Sequence, residues 1–327
     1  MKAILCKAYG PPETLVYEDV ADPQPRTNGV VIDVHAAGLN FPDVLLVQGK
    51  YQVKPPLPFS PGGEVAGLVR SVGADVDWLH PGDRVAALTT AGGFAERVAV
   101  LASSVVPLPD AMPLRVAAGF LITYGTAYHA LVDRAKLGRG ESLLVTGAGG
   151  GVGIAAAQLG RSLGARIIAA ASSAEKLDAA RRSGATAFVN YRDEPLRDRL
   201  KALTSGRGVD VVFDPVGGEI ATEALRALGW DGRFLVIGFA SGTIPSFAAN
   251  RVLLNGSAIV GVYWGAFATR DPERNRANFA HMFELYADGK IAPETTVVYP
   301  LEEAPRAIES LMQREIVGKA VIAVRPE

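Results

Sequence analysis

Cysteine is almost missing from this chain: Cys6 is the only one among 327 residues, so no intrachain disulfide can form and no multi-thiolate metal site can be assembled. Histidine is sparse as well. His35, His80, His129 and His281 lie scattered along the sequence, a pattern of packing or surface residues rather than of a ligand set. Neither sign of charge predominates, since 33 Lys and Arg face 34 Asp and Glu for a net charge of -1. The basic footprint that nucleic-acid backbones or anionic lipids require is therefore absent. Long apolar runs are lacking too: the N-terminal stretch Ala3–Cys6 is interrupted by Lys7 before it could form a signal core, and no later run reaches spanning length. These absences predict a cytoplasmic protein with neither a membrane nor a nucleic-acid partner, working on small molecules. With 49% hydrophobic residues, the chain can bury cores for two domains.

Up to about residue 121 the sequence reads as short strands punctuated by turns. Runs such as Val30-Val31-Ile32-Asp33-Val34 and Glu64-Val65-Ala66-Gly67-Leu68-Val69 are separated by Asp22-Pro23, Pro55-Pro56 and Pro81-Gly82-Asp83. From residue 122 to about 264, helical patterns alternate with apolar runs at Ser142 to Val145, Arg166 to Ala171, Val209 to Asp214 and Gly232 to Ile237. That alternation predicts an α/β fold with a doubly wound parallel sheet. After residue 265 come a polar helix near Arg274 to Asp288, a strand at Thr295 to Tyr299, a helix near Glu302 to Gln313 and a strand at Ala320 to Val324. This tail cannot complete a parallel sheet by itself. It is expected to return to the first region, giving one domain from residues 1–121 and 265–327 and an inserted one from residues 122–264.

Leu143-Leu144-Val145 runs into Thr146-Gly147-Ala148-Gly149-Gly150-Gly151-Val152-Gly153 and then into the strong helix former Ile154-Ala155-Ala156-Ala157-Gln158-Leu159. A strand, a glycine turn and a helix start make an anion site, because backbone N–H groups and the helix dipole converge on a pyrophosphate. The end of the second strand selects the cofactor. An NAD site needs an acidic residue there for the ribose hydroxyl, whereas Arg166–Ala171 is followed by Ser172, Ser173 and, a helical step on, Lys176. Two hydroxyls and an ammonium suit the 2′-phosphate of NADPH, although a serine there also suits a helix cap. Tyr286-x-x-x-Lys290 has the catalytic spacing of short-chain dehydrogenases, but Tyr286-Ala287-Asp288-Gly289-Lys290 reads as a helix ending at glycine.

The order of parts resembles the medium-chain dehydrogenase/reductases across essentially the whole chain. Within them, Ala148-x-Gly150-Gly151-Val152-Gly153, Asn40-Phe41-Pro42-Asp43, Gly49-Lys50-Tyr51, Pro81-Gly82-Asp83-Arg84-Val85 and Gly318-Lys319 are similar to the zinc-free NADPH:quinone oxidoreductases, the zeta-crystallin-like branch. The resemblance implies a GroES-like β domain beside a Rossmann cofactor domain. It implies that Asn40 and Tyr51 line the nicotinamide and substrate pocket and that Thr123 and Thr126 belong to the helix beside the nicotinamide. It assigns the 2′-phosphate to Lys176, Tyr191 and Arg314, and further cofactor contacts to Val216, Gly238, Phe239, Trp264 and Lys319. Leu45 departs from the pattern, standing where several quinone reductases carry an aromatic residue.

Zinc-dependent relatives have a cysteine at the position of Asn40 and a histidine at that of Gly63, so the resemblance implies no metal here. Without a Lewis acid, alcohol oxidation loses its usual driver, while quinones and α,β-unsaturated carbonyls need only a donor for the developing oxyanion. Tyr51 and Asn40 are the candidate donors, and Asp43 reads as a structural acceptor. Enoyl thioesters and alkenals or enones are the alternative substrates, and a structural or RNA-binding role is the remote one. The apolar run Ala258–Tyr263 would leave an open sheet edge in a monomer, which predicts a homodimer.

Overall fold

The computed structural model describes residues 1–326. The chain divides into two compact units, Met1–Ile122 with the segment from Glu294 onward, and Thr123–Pro293. No helix among the described residues is long and apolar enough to cross a membrane.

In the first unit a seven-stranded sheet runs in the order Val297–Pro300, Ala320–Ala323, Gly29–Gly38, Glu64–Val72, Arg84–Leu88, Val105–Pro107, with Arg97–Leu101 also pairing with Gly29–Gly38. Lys2–Leu5 and Val16–Asp19 form a separate two-stranded sheet. β-branched residues at alternate positions, among them Val30, Ile32, Val34, Val65, Val69 and Val85, turn inward to one apolar core with Phe94, as the period of a strand dictates. Register then matters for chemistry. Val321 lies opposite Gly38 in an antiparallel pair and Ala37 lies opposite Val65. Residues next along each strand, Lys319, Asn40 and Glu64, are thereby brought to one corner of the sheet.

The second unit is a six-stranded parallel sheet made of β1 (Ser142–Thr146), β2 (Arg166–Ala171), β3 (Ala187–Asn190), β4 (Val209–Asp214), β5 (Leu228–Val236) and β6 (Ala258–Gly261), in the order β3-β2-β1-β4-β5-β6. Its inner strands β1, β2 and β4 are almost wholly buried, as strands covered on both faces require. This is the doubly wound order, with its reversal between β1 and β4.

The boundary of the return differs from the sequence expectation. Residues 265–293 group with the parallel-sheet unit rather than with the β unit. The cause is packing around Trp264: a Cβ at Gly125 would lie 2.5 Å from its ring, its indole N–H donates to Asn275 Oδ1 at 3.1 Å, and its ring meets Phe279 edge-on. Arg274 pairs with Asp133, whose side chain is shielded, at 2.6 Å, and Tyr128 and His281 are hydrogen-bonded at 2.7 Å. The helix Pro272–Ala287 is thus held within the second unit before the chain leaves it at Pro293.

Candidate active site

The carboxyl ends of the parallel strands carry most of the cofactor candidates. After β1, Gly150 caps helix α1 (Gly151–Ser162), with Val152 in its first turn and Gly153 buried below it. Gly149 is where helix α2 (Ala174–Arg182) comes closest, since an added Cβ would stand 2.5 Å from Lys176 Cβ and 2.8 Å from its Cα. The bare backbone at Gly149 is what sets Lys176 beside the loop. After β2, Ser173 caps α2, its Oγ accepting from Lys176 N at 3.4 Å, and Ser172 is half-buried. Tyr191, one residue past β3, donates its backbone N–H to Ala171 O at 3.2 Å. The ends of β1, β2 and β3 therefore bring Ser172, Ser173, Lys176 and Tyr191 to the same edge as the glycine loop.

One residue that sequence reading passed over organises the other half of that edge. Asp214, the last residue of β4, is buried and accepts from the Thr146 hydroxyl, from Val216 N at 3.2 Å and from Gly217 N at 3.1 Å. Burial raises its pKa above the ordinary carboxylate value while these donors oppose the shift. Its backbone oxygen also accepts from Gly238 N at 3.3 Å. The carboxylate thus fixes Val216 and Gly217, the backbone carbonyl of the same residue fixes Gly238, and Phe239 lies against Gly217. An aspartate ending an apolar strand was the visible signal. Thr123 and Thr126 share one face of the helix Leu121–Tyr128, three residues apart, Thr123 buried and Thr126 half-buried. Trp264 starts the helix Trp264–Arg270 and is buried, its N–H engaged by Asn275 as described above. Tyr286 ends in the helix that stops at Ala287, Gly289 follows with φ +67°, and Lys290 pairs with Asp288, as the reading of a glycine stop requires.

In the β unit, Asn40 caps the helix Phe41–Val47, and Asp43 accepts its backbone N–H at 2.8 Å and that of Gly62 at 3.2 Å. Asp43 is the structural acceptor its position suggested. The Asn40 side chain is fully oriented: Nδ2 donates to Glu64 Oε2 at 3.0 Å and to Gly38 O at 3.3 Å, while Oδ1 accepts from Lys319 Nζ at 2.7 Å. Both amide protons point inward. Lys319 Nζ also reaches Leu39 O at 3.1 Å and Glu64 Oε2 at 3.4 Å. Tyr51 follows Gly49, half-buried against the apolar core, and Arg314 is exposed, with φ +62°, beyond the helix Ala304–Met312. The unit brings Asn40 and Lys319 into contact.

Residues 26–110 match the family described as "Alcohol dehydrogenase GroES-like domain" and residues 151–285 the one described as "Zinc-binding dehydrogenase". The chain is 38% identical over 325 residues to "Quinone oxidoreductase-like protein 2 homolog" of Nematostella vectensis, covering 98% of this chain and 88% of that protein. It belongs to the quinone oxidoreductase family of the medium-chain dehydrogenase/reductases. Among solved structures, a probable oxidoreductase of Mycobacterium abscessus superposes with TM-score 0.90 at 36% identity, covering 99% of each chain. The Escherichia coli quinone oxidoreductase complexed with NADPH gives TM-score 0.92 at 29% identity, covering 99% of this chain and 100% of that one.

One of the matched family descriptions names zinc, but the donor set of this quinone oxidoreductase family member does not fit it. No group of three or more His, Cys, Asp and Glu side chains that could hold a metal occurs among the described residues. The corner where Asn40 and Glu64 meet already holds a cation, the Lys319 ammonium. The loop at the other unit fits an anionic dinucleotide, because its N–H groups open at the head of α1 and Lys176 is packed beside it.

Proposed function

We propose that this protein is an NADPH-dependent oxidoreductase that reduces quinones or related α,β-unsaturated carbonyls without zinc, its Rossmann unit holding the cofactor and its GroES-like unit the substrate. The packing of Lys176 against Gly149, at the uncharged end of β2, carries the reading. A 2′-phosphate bears close to two negative charges, and Lys176 with the hydroxyls of Ser172, Ser173 and Tyr191 answers them, whereas no acid stands there to take a ribose hydroxyl. The backbone of Gly149–Gly153 and the start of α1 meet the pyrophosphate. When bound, the dihydronicotinamide supplies the hydride. Thr126, Val216, Gly238 and Phe239 shape the cofactor groove, and Asp214 keeps Val216 and Gly238 in place. Arg314 and Lys319 stay the cofactor contacts that the resemblance implies, the Lys319 ammonium being held in this unit by Leu39, Asn40 and Glu64.

A substrate that is already electrophilic needs no metal to draw hydride, only a donor where negative charge develops on oxygen. Tyr51 takes that role, because both amide protons of Asn40 are engaged by Gly38 and Glu64. Asn40 and Thr123 keep the role the resemblance implies for each, that of orienting the reactants. The protein works as a cytoplasmic homodimer joined along the open edge of β6.

Steady-state rates with NADPH and NADH against 1,4-benzoquinone, 9,10-phenanthrenequinone, an enone and crotonyl-CoA test the reading together with Lys176→Ala. Removing one charge-assisted hydrogen bond in this way should weaken NADPH binding about ten- to a hundredfold, leave NADH nearly unchanged and preserve kcat at saturating cofactor. Equal binding of the two cofactors, or equal losses in Lys176→Ala, overturns the cofactor assignment. Turnover of crotonyl-CoA alone moves the substrate to enoyl thioesters.

A further inference from the structure

Glu64 has no exposed surface, yet none of the roles above uses it. Its carboxylate is a junction. Oε2 receives Asn40 Nδ2 at 3.0 Å and faces Lys319 Nζ at 3.4 Å, and Oε1 receives the backbone N–H of Ile122 at 2.9 Å. The fit leaves no slack, because a Cβ on Gly38 would lie 2.4 Å from Oε2. A buried carboxylate persists only when its charge and lone pairs are answered, and here Lys319, itself buried, is its ion-pair partner. The same oxygen that pairs with the ammonium also decides which way the Asn40 amide is turned.

We infer that Glu64 is a positioning residue for the reduction, acting through Asn40 and Lys319. It holds the amide of Asn40 in a single orientation, with Oδ1 toward the ammonium, and it restrains Lys319 at the sheet corner. It also fastens both to Ile122, the residue after which the chain passes into the other unit. Because a glutamine offers one acceptor oxygen instead of two, Glu64→Gln must set an NH2 group against a donor, either Ile122 N–H on one side or Asn40 and Lys319 on the other. The amide of Asn40 then loses its fixed direction.

The inference rests on the proposed reductase activity, so NADPH binding and turnover of the wild type are measured first; a wild type lacking both fails that reading and is recognised before any variant is made. In Glu64→Gln, kcat should fall about ten- to a hundredfold, the scale of a site group displaced from its geometry. The NADPH dissociation constant should stay level, since no residue assigned to the phosphates at the glycine loop and the end of β2 is changed. Asn40→Ala combined with Glu64→Gln should be no slower than Asn40→Ala alone, as expected of two changes acting through one amide. Weaker NADPH binding with unchanged kcat, or losses that multiply in the double variant, overturns the proposal. Should Glu64→Gln fail to fold, Glu64→Asp keeps the charge but withdraws it by one methylene. It should melt within a few degrees of wild type and still lose kcat, and wild-type kcat in Glu64→Asp overturns the proposal equally.

Discussion

Asp43 shows what a single buried carboxyl can do to the response of the fold to pH. Burial pushes its pKa up from 3.8 to about 7, against the opposing pull of the Asn40 N–H, the Lys319 ammonium and the Gly62 N–H, with Glu64 adding to the rise. Since the folded-state value lies above the unfolded one, the folded chain binds the extra proton. The stability that comes with it is complete below about pH 3.8 and is lost as the pH rises through about 7. In Asp43→Asn that dependence disappears. The difference in melting temperature between wild type and Asp43→Asn should therefore shrink as the pH is raised from 5 to 8 in scanning calorimetry, and a constant difference would put the carboxyl back in its ordinary range. That Asp43 accepts hydrogen bonds for the sake of structure was read from the sequence, but its partner Asn40 was not. Its shifted pKa was not, for the groups that set it, Glu64 and Lys319, arrive from distant strands through sheet register.

At the level of elements, the strand, glycine turn and helix start of β1 and α1 stand where the local pattern put them, since all three signals are contiguous in sequence. What a reading of the loop alone could not supply is which glycine matters for which reason. Gly149 is confined by α2, whereas a Cβ on Gly150 would meet only Gly147 O at 3.5 Å, an ordinary contact. Gly149→Ala must push Lys176 and its helix outward, so it should lower the melting temperature by several degrees and weaken NADPH at least tenfold, the size of one displaced charged group. Gly150→Ala should do markedly less on both counts. Calorimetry and cofactor titration of the two variants side by side decide it, and equal effects would refute the steric assignment. The same limit explains the misplaced return of the chain: a polar helix after residue 265 carries no local sign that Trp264 will lie across Gly125, and that packing is what keeps residues 265–293 with the parallel sheet.

For the whole molecule, the exposed apolar surface is unevenly distributed. β6 is the outermost strand of the parallel sheet, paired only with β5 among the described residues, and Ile259 and Tyr263 on or beside it are exposed, as are Leu253 and Leu254 in the preceding helix. An open edge of this kind invites pairing with its own copy. Light scattering at micromolar concentration should give twice the 34.3 kDa chain mass, and Ile259→Lys, which places a charge on the edge, should shift the population toward monomer. A wild-type mass of one chain would contradict the dimer. The apolar run of β6 made this edge visible in sequence, though not the exposed leucines beside it, which belong to a helix the pattern did not reveal.

The sheet of the first unit is threaded in an order that constrains how the protein comes off the ribosome. Ala320–Ala323 lies between Val297–Pro300 and Gly29–Gly38, so a strand made among the first forty residues waits for one made nearly three hundred residues later. The parallel-sheet unit, contiguous in the chain, can close while synthesis continues. Until Lys319 emerges, Glu64 has no cation, and the corner that orients Asn40 is therefore among the last parts of the fold to be completed during translation.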